Sequence, residues 1–381
     1  MPPVVESTAQ AAAASGIPAT APAGRGAGLH AFHRLRVADI RPEIDDTVSV
    51  AFAVSPELAE LYRFVPGQHL TFRTWVDGEE VRRSYSICAG LDDGELRVAV
   101  KHVPGGRFSG WANTRLRVGD EVEVMTPSGR FTLSPDPAHA RHYLAIAAGS
   151  GITPVMSILS SVLAREPDST FTLVYGNRGV TSIIFREQLD DLKNRYLQRL
   201  QVLHLLSRER QDVDLLNGRI TAEKVRELAA TVIDLDSVDE VYLCGPEPMT
   251  MEVRDALLDL GVRQSHIHLE LFGTPHVSAA VVRPVVAGDA RHLTVVLNGV
   301  KTELDISPAD TVLDAALASG LDLPFSCKGG VCATCRARVC EGAVEMAVNY
   351  ALEPWETEAG FVLTCQSRPV TDALTVDYDQ S

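Results

Sequence analysis

Apolar and polar positions alternate in short runs from Phe32 to Pro135: Thr47–Val54, His69–Phe72, Glu95–Val100 and Glu121–Val124. Turn pairs such as Asp77-Gly78 and Asp93-Gly94 separate them. Closely spaced period-two runs of this kind predict an antiparallel β-barrel over residues 31–136. The pattern changes at Arg141. Residues 143–148 are continuously apolar, the mark of a strand buried on both faces of a parallel sheet. Gly149-Ser-Gly151 follows, then apolar residues at 155, 158, 159, 162 and 163, spaced for one face of a helix. Strands at Phe171–Tyr175, Gln201–Leu206, Glu240–Leu243 and His266–Leu271 then alternate with helices at Phe185–Tyr196, Thr221–Ala230 and Met249–Leu260. That alternation predicts a doubly wound α/β domain over residues 137–273. A third pattern occupies residues 291–381: strands His292–Leu297 and Lys301–Ile306, helix Thr311–Ser319, and strand Leu374–Tyr378. It reads as a small β-grasp (α+β) domain.

Two stretches carry no periodicity. Residues 1–30 are rich in Ala, Pro, Gly and Ser and are expected to form a disordered tail, since they hold too little apolar surface to offset the entropy of ordering. The tail has no basic n-region and prolines interrupt its Ala run, so it is not read as a secretory signal. Residues 274–290 are expected to be a linker. Tyr143–Ala164 contains no charged residue across twenty-two positions, a length that could span a bilayer, but Gly149, Gly151 and Pro154 interrupt it. It is therefore read as strand, turn and helix, with no membrane involved.

Composition bounds the rest. The 381 residues are 45% hydrophobic and 22% charged, which suits two or three globular domains. A net charge of −15 argues against nucleic acid or an anionic membrane as partner. From Asp289 onward there are 14 acidic against 6 basic residues, so the carboxy-terminal domain carries −8 of that charge. Such a surplus serves solubility, or it steers a basic partner through residues such as Glu353, Glu356 and Glu358.

The candidate chemistry begins with cysteine. Cys327, Cys332 and Cys335 stand at Cys-x4-Cys-x2-Cys spacing, and Cys365 follows thirty residues later. This is the plant-type pattern for a [2Fe-2S] cluster, with Gly329 and Gly330 letting the loop approach closely. A zinc site, which favours Cys-x2-Cys knuckles, fits the first gap poorly. Cys88, Cys244 and Cys340 are left as free thiols, which suits a reducing cytoplasm.

In the barrel segment, Arg83-Ser-Tyr85-Ser86 can stack a ring, donate from a hydroxyl and hold a phosphate. Gly105-Gly106-Arg-Phe-Ser109 reads as a glycine turn entering a helix, whose first N–H groups can cradle a pyrophosphate. Either motif alone is also an ordinary strand or turn. In the α/β segment, Gly149-Ser-Gly151-Ile-Thr153-Pro154 has the same character, with Thr153 as a candidate cap and Pro154 in the first helical turn. It lacks the Gly-Lys-Ser/Thr of an ATP loop. Arg178 follows the second strand, and Ser207-Arg208 follow the third. An acidic residue after the second strand would bind a ribose 2′-hydroxyl, whereas arginines suit a 2′-phosphate or a solvated surface. NADPH is thus expected over NADH. Cys244-Gly245-Pro246 ends the fourth strand.

In this order, residues 32–272 resemble the ferredoxin–NADP reductase superfamily. The resemblance implies FAD, with Tyr85 stacked on the isoalloxazine, Ser86 near its N5, and Arg83, Gly106 and Ser109 at the pyrophosphate. It also places Cys244 and Gly245 beside the nicotinamide, and Glu270-Leu271-Phe272 over the opposite flavin face. With the cysteine domain appended, the chain resembles the hybrid reductases of multicomponent oxygenases. Pro66-Gly-Gln-His-Leu-Thr71, Asp77-Gly-Glu-Glu-Val-Arg-Arg83, Asn349-Tyr350 and the cysteine loop resemble most the family that serves ring epoxidation of phenylacetyl-CoA. The likeness implies hydride transfer from NADPH to flavin, then single electrons to the [2Fe-2S] cluster and on to a di-iron oxygenase. A reductase for another ring or steroid hydroxylase is the neighbouring reading. A cluster-based redox sensor or a zinc-binding module is the reading from another class.

Overall fold

The computed structural model describes residues 4–6, 31–272 and 290–380. The chain divides into two compact units, residues 32–273 and residues 1–31 with 274–381. The linker expectation and most of the tail expectation therefore lie outside the described residues. One short stretch of the tail does not: β1 (Val4–Glu6) pairs antiparallel with residues 343–345. Composition carries no sign of this strand, because a sheet edge supplies its hydrogen bonds and its own apolar content does not.

The larger unit begins with six antiparallel strands: β2 (Phe32–Ile44), β3 (Thr47–Ala53), β4 (His69–Val76), β5 (Glu79–Ser86), β6 (Leu96–Lys101) and β7 (Glu121–Met125). Their order is β5-β4-β7-β2-β3-β6. An Ile87–Val98 bridge and the Cys88 N–H to Arg97 O bond join the two edges and close the barrel. Asp77 and Gly78 both take positive φ, 53° and 86°, as a two-residue hairpin turn requires. The barrel is filled by Leu35, Phe52, Leu70, Phe72, Val98 and Val124. Helix α1 (Arg107–Thr114) lies between β6 and β7 in sequence and packs Phe108 and Ala112 into this core.

Five parallel strands follow: β8 (His142–Ala148), β9 (Thr170–Asn177), β10 (Leu200–Leu206), β11 (Glu240–Pro246) and β12 (Ile267–Phe272). Helices α2 (Ile152–Arg165), α3 (Arg186–Arg195), α4 (Ala222–Thr231) and α5 (Glu247–Asp259) alternate with them. The order β10-β9-β8-β11-β12 reverses direction between β8 and β11, and the carboxyl ends of those two strands are where open α/β sheets bind ligands. The apolar run at 143–148 is the central strand, Leu144 to Ala147 being almost fully buried. At the opposite end, the buried Glu166 carboxylate accepts from Tyr143 Oη at 2.9 Å, Ser169 Oγ at 2.7 Å and the Asp136 N–H at 3.0 Å. These bonds tie the segment leaving the barrel to the end of α2. Among the described residues, no helix is long and apolar enough to cross a membrane.

The smaller unit holds β13 (Arg291–Leu297), β14 (Val300–Ile306), α6 (Val312–Ala318), β15 (Arg336–Glu341), β16 (Ala343–Met346), α7 (Pro354–Glu358), β17 (Phe361–Leu363), β18 (Ser367–Pro369) and β19 (Ala373–Asp377). The main sheet, β14-β13-β19-β15-β17, is antiparallel except for the β13–β19 pair. Thr311 caps α6 by accepting the Asp314 N–H at 3.1 Å, and Val312, Leu313 and Ala316 are buried beneath the sheet's Leu293, Val295 and Val376. A second sheet, β1-β16-β18, lies beside it. The multidomain architecture expected from the patterning, barrel then α/β sheet then α+β domain, is the one observed.

Candidate functional site

Strand alternation on β5 sends Arg83 and Tyr85 to one face, Ser84 and Ser86 to the other. The Tyr85 ring packs on Phe108 of α1 at 5.3 Å, and burial holds its hydroxyl protonated. Arg83 is exposed, with one guanidinium N–H on the Arg82 carbonyl. Gly105 takes φ 75°, and Gly106 caps α1, where a Cβ would lie 2.5 Å from Ser109 Oγ. The Ser109 hydroxyl is used by this turn: it accepts the Val103 N–H at 3.1 Å and lies 3.3 Å from the Gly106 carbonyl. It therefore shapes a cradle whose free donors are the first-turn N–H groups of α1. Ring platform, guanidinium and glycine turn fit a flavin nucleotide.

In the α/β part, Gly149–Gly151 forms a single 3₁₀ turn before α2. Gly149 takes φ 55°, and its carbonyl accepts the Tyr175 hydroxyl at 2.9 Å. A Cβ on Gly151 would stand 2.2 Å from the Cys244 carbonyl oxygen, so only glycine lets the α2 start approach the end of β11. The expectation that Thr153 caps α2 is corrected: Gly151 is the N-cap, and Thr153 lies in the first turn, donating to the Ser150 carbonyl at 3.0 Å. The 3₁₀ turn brings the helix start forward by two residues. Pro154 stands in that first turn as expected.

Arg178 and Arg208 are exposed at adjoining strand ends, and the Arg208 N–H donates to the Arg178 carbonyl at 2.7 Å. Ser207 precedes Arg208, its Oγ and N–H both donating to the Asn177 carbonyl. Glu209 follows, but its carboxylate accepts the Val180 N–H at 2.8 Å. Both arginines thus follow the carboxyl ends of neighbouring parallel strands, β9 and β10.

Cys244 on β11 is directly opposite Glu270 on β12. Glu270 in turn accepts from Ser86 Oγ at 3.1 Å, which joins barrel and sheet through catalytic candidates from both. Gly245, whose Cβ would lie 2.7 Å from Met249, keeps the backbone close here. Burial pushes the Cys244 thiol well up, and the Glu270 charge adds to it. Part of Glu270's surface stays open, yet dense packing around its carboxyl raises the pKa to about 8 against the opposing Ser86 bond. A neutral carboxyl hydrogen-bonded to a serine is a proton reservoir at neutral pH. Phe272 ends β12, half-buried.

The raised Glu270 carboxyl makes stability depend on pH. With a folded pKa above the ordinary 4.5, its contribution is fully present below pH 4.5 and is lost as pH rises through about 8. Urea unfolding of the parent against Glu270→Gln should diverge over that window by a few kcal/mol, the parent losing ground. Parallel pH profiles would contradict the assignment.

In the smaller unit the structure gathers Cys327, Cys332, Cys335 and Cys365, and leaves Cys340 exposed on β15 with Gln380 beside it. The loop takes left-handed backbone at Lys328 (φ 51°), Gly330 (φ 78°) and Ala333 (φ 52°). Gly330 backs onto Val348, 3.1 Å from a Cβ there. The Gly329 N–H donates to Cys327 Sγ at 3.3 Å. The thiols pair, Cys327 with Cys332 and Cys335 with Cys365. Within each pair a shared proton lowers one thiol and raises the other. Cys327 falls to about 5 through Cys332 and loop N–H groups, and Cys365 falls through Cys335; their partners rise. Among the described residues, no three ligand side chains converge on one ion position. Two thiol pairs fit a two-iron cluster in which each iron takes two thiolates.

One expected surface residue is corrected. Glu356 is fully buried, accepting Arg336 Nε at 2.8 Å and the Glu353 N–H at 3.0 Å, while the Arg336 guanidinium lies 3.5 Å from the Phe361 ring centre. It anchors α7 to β15, directly after Cys335, and cannot meet a partner. Glu353 and Glu358 are exposed.

Each of the three sites has counterparts among known proteins. Residues 35–133 match the oxidoreductase FAD-binding domain, 145–255 the oxidoreductase NAD-binding domain and 295–370 the 2Fe-2S iron-sulfur cluster binding domain. The chain is 49% identical to one of the subunits of the 1,2-phenylacetyl-CoA epoxidase of Escherichia coli, over 91% of this chain and 98% of that one. It is 37% identical to the ferredoxin reductase component of the 3-ketosteroid-9-alpha-monooxygenase of Rhodococcus rhodochrous, over 90% and 96%. Among solved structures, phthalate dioxygenase reductase shares the fold with a TM-score of 0.54 at 24% identity, covering 91% of this chain and 98% of that one. An intact type IV self-sufficient cytochrome P450 monooxygenase gives 0.67 at 26% identity, covering 91% and 41%.

Proposed function

The chain belongs to the ferredoxin–NADP reductase family of oxidoreductases that carry a 2Fe-2S domain, and we propose that it serves the epoxidation of phenylacetyl-CoA. It is a reductase that passes electrons to an oxygenase. The substrate reading is supported by the 49% identity along nearly the whole length of the epoxidase relative. Its acceptor is then a di-iron oxygenase, and the pathway is phenylacetate breakdown. Free thiols throughout suit a cytoplasmic setting.

Bound, the nicotinamide, flavin and cluster supply the hydride and one-electron chemistry. The chain's own residues supply position. Tyr85 would stack on the flavin ring, Arg83 and the Gly106–Ser109 turn would hold the FAD pyrophosphate, and Phe272 would cover the ring from the other side. Gly149, Gly151, Thr153 and Pro154 form the turn that takes the nicotinamide nucleotide's phosphates. Cys244 and Gly245 set the depth of its ring. Ser86 and Glu270 would hold a proton, at the Glu270 carboxyl, next to the bound flavin. Cys327, Cys332, Cys335 and Cys365 hold the cluster. The observation that carries this reading is the Ser86–Glu270 bond with Cys244 opposite, which brings barrel and sheet residues to one point.

NADPH over NADH is supported by the neighbouring Arg178 and Arg208, with Ser207 beside Arg208 in the chain. Arg208→Ala should weaken NADPH binding by roughly 1.5–3 kcal/mol, the worth of a charge-assisted hydrogen bond, and leave NADH almost unaffected. Equal losses, measured by titration with both nucleotides, would make Arg208 structural. The substrate reading is tested by reconstitution with a di-iron oxygenase, scoring epoxide from phenylacetyl-CoA. Product from a steroid or a free aromatic acid instead would overturn it.

A further inference from the structure

The fourth ligand arrives from a different part of the smaller unit than the other three. Cys365 sits in the turn between β17 and β18, where the Gln366 N–H donates to the Leu363 carbonyl at 2.8 Å. Cys327, Cys332 and Cys335 lie on a loop with no regular structure between α6 and β15. A two-iron cluster needs both pieces held at fixed separation before it assembles. Gln366 spans the gap. Its Nε2 donates to the Lys328 carbonyl at 2.9 Å and lies 3.5 Å from Cys365 Sγ. The side chain is 7% exposed, and its Cγ lies 3.4 Å from where a Cβ on Gly330 would stand. Its backbone carbonyl accepts the Ala347 N–H at 2.9 Å, so the residue is held at both ends. Lys328 is a non-glycine residue at φ 51°, a conformation that persists only where the surroundings over-determine it. Two contacts do so: the Gln366 amide on its carbonyl, and Asp314 on its ammonium at 2.8 Å.

We propose that Gln366 is a positioning residue for the cluster: its amide fastens the fourth ligand to the loop bearing the other three and keeps a hydrogen-bond donor on the Cys365 sulfur. This rests on the reading of the four cysteines as ligands. A donor on a ligating sulfur draws charge from it and favours the reduced cluster, so the residue raises the cluster's reduction potential. It thereby biases the sharing of electrons between flavin and cluster towards the cluster.

The test uses the full chain with both cofactors. Gln366→Met keeps the volume and removes both donors. Anaerobic redox titration is expected to show the flavin potential unchanged and the cluster potential lowered. The expected shift is equivalent to about a tenfold change in electron sharing, or about 59 mV for one electron. Iron release to a chelator is expected to quicken several-fold. A cluster potential and an iron-release rate equal to the parent's would overturn the proposal. Should Gln366→Met hold no iron, Gln366→Asn decides, since its amide keeps N–H groups but is one methylene too short to span both acceptors. The proposal requires a lowered potential there, and a parental one overturns it. A parent protein without cluster iron would instead undo the ligand assignment.

Discussion

Cys365→Ser protein should purify with its flavin, lose the iron–sulfur absorption, and pass no electrons from NADPH to a one-electron protein acceptor. Its NADPH-to-ferricyanide activity should survive near the parent rate, because flavin can serve that small acceptor directly. The reason lies in the thiol pairing. Cys365 is buried against Cys335, and a serine there leaves one iron with a single thiolate. Cys340 cannot substitute, since it lies exposed on β15 near the Arg338 carbonyl and Gln380. Cys332→Ser should behave alike through the other pair. Unchanged iron content in Cys365→Ser would contradict the assignment and make Cys340 the suspect.

Gly151→Ala should cripple the nucleotide half while leaving the cluster loaded. The added methyl would meet the Cys244 carbonyl carbon at 2.6 Å and the Gly245 nitrogen at 3.0 Å as well as the oxygen at 2.2 Å. All three are backbone atoms, so no side-chain rotation relieves them. The end of β11 or the start of α2 must move, and with it the proposed nicotinamide site. Misplacement of about 1 Å costs on the order of 100-fold in rate, so flavin reduction by NADPH should slow by about that factor. Gly149→Ala, in the same turn, should cost less. A Cβ there meets nothing within 4 Å, and only the left-handed backbone is strained, at a cost of roughly 1–2 kcal/mol. Equal rates in Gly151→Ala and the parent would show that the β11–α2 approach is not needed for catalysis.

Much of this site is legible in the sequence, because its parts are short and local. Glycine turns after a strand, a Cys-x4-Cys-x2-Cys loop and alternating apolar runs each report backbone demands within a few residues. What escapes is set by tertiary packing. Glu356 reads as surface charge until Arg336 and Phe361 enclose it. The turn role of Ser109, whose hydroxyl accepts the Val103 N–H, likewise shows only in the fold. Thr153 has the composition of a cap, but the 3₁₀ turn before it displaces the helix start. Gln366 follows a cysteine and carries no signal of its own; only the folded loop shows that its amide spans two segments. The pairing of β1 with β16 is hidden in a stretch whose composition points to disorder.

The central claim is that electrons move from nicotinamide to flavin to cluster within this chain. Anaerobic rapid mixing of the intact protein with NADPH, followed through the separate absorption bands of flavin and cluster, tests it most directly. Flavin should bleach first and the cluster follow, and removing FAD should abolish cluster reduction while leaving cluster iron in place. Cluster reduction at an undiminished rate in the FAD-free protein would contradict it.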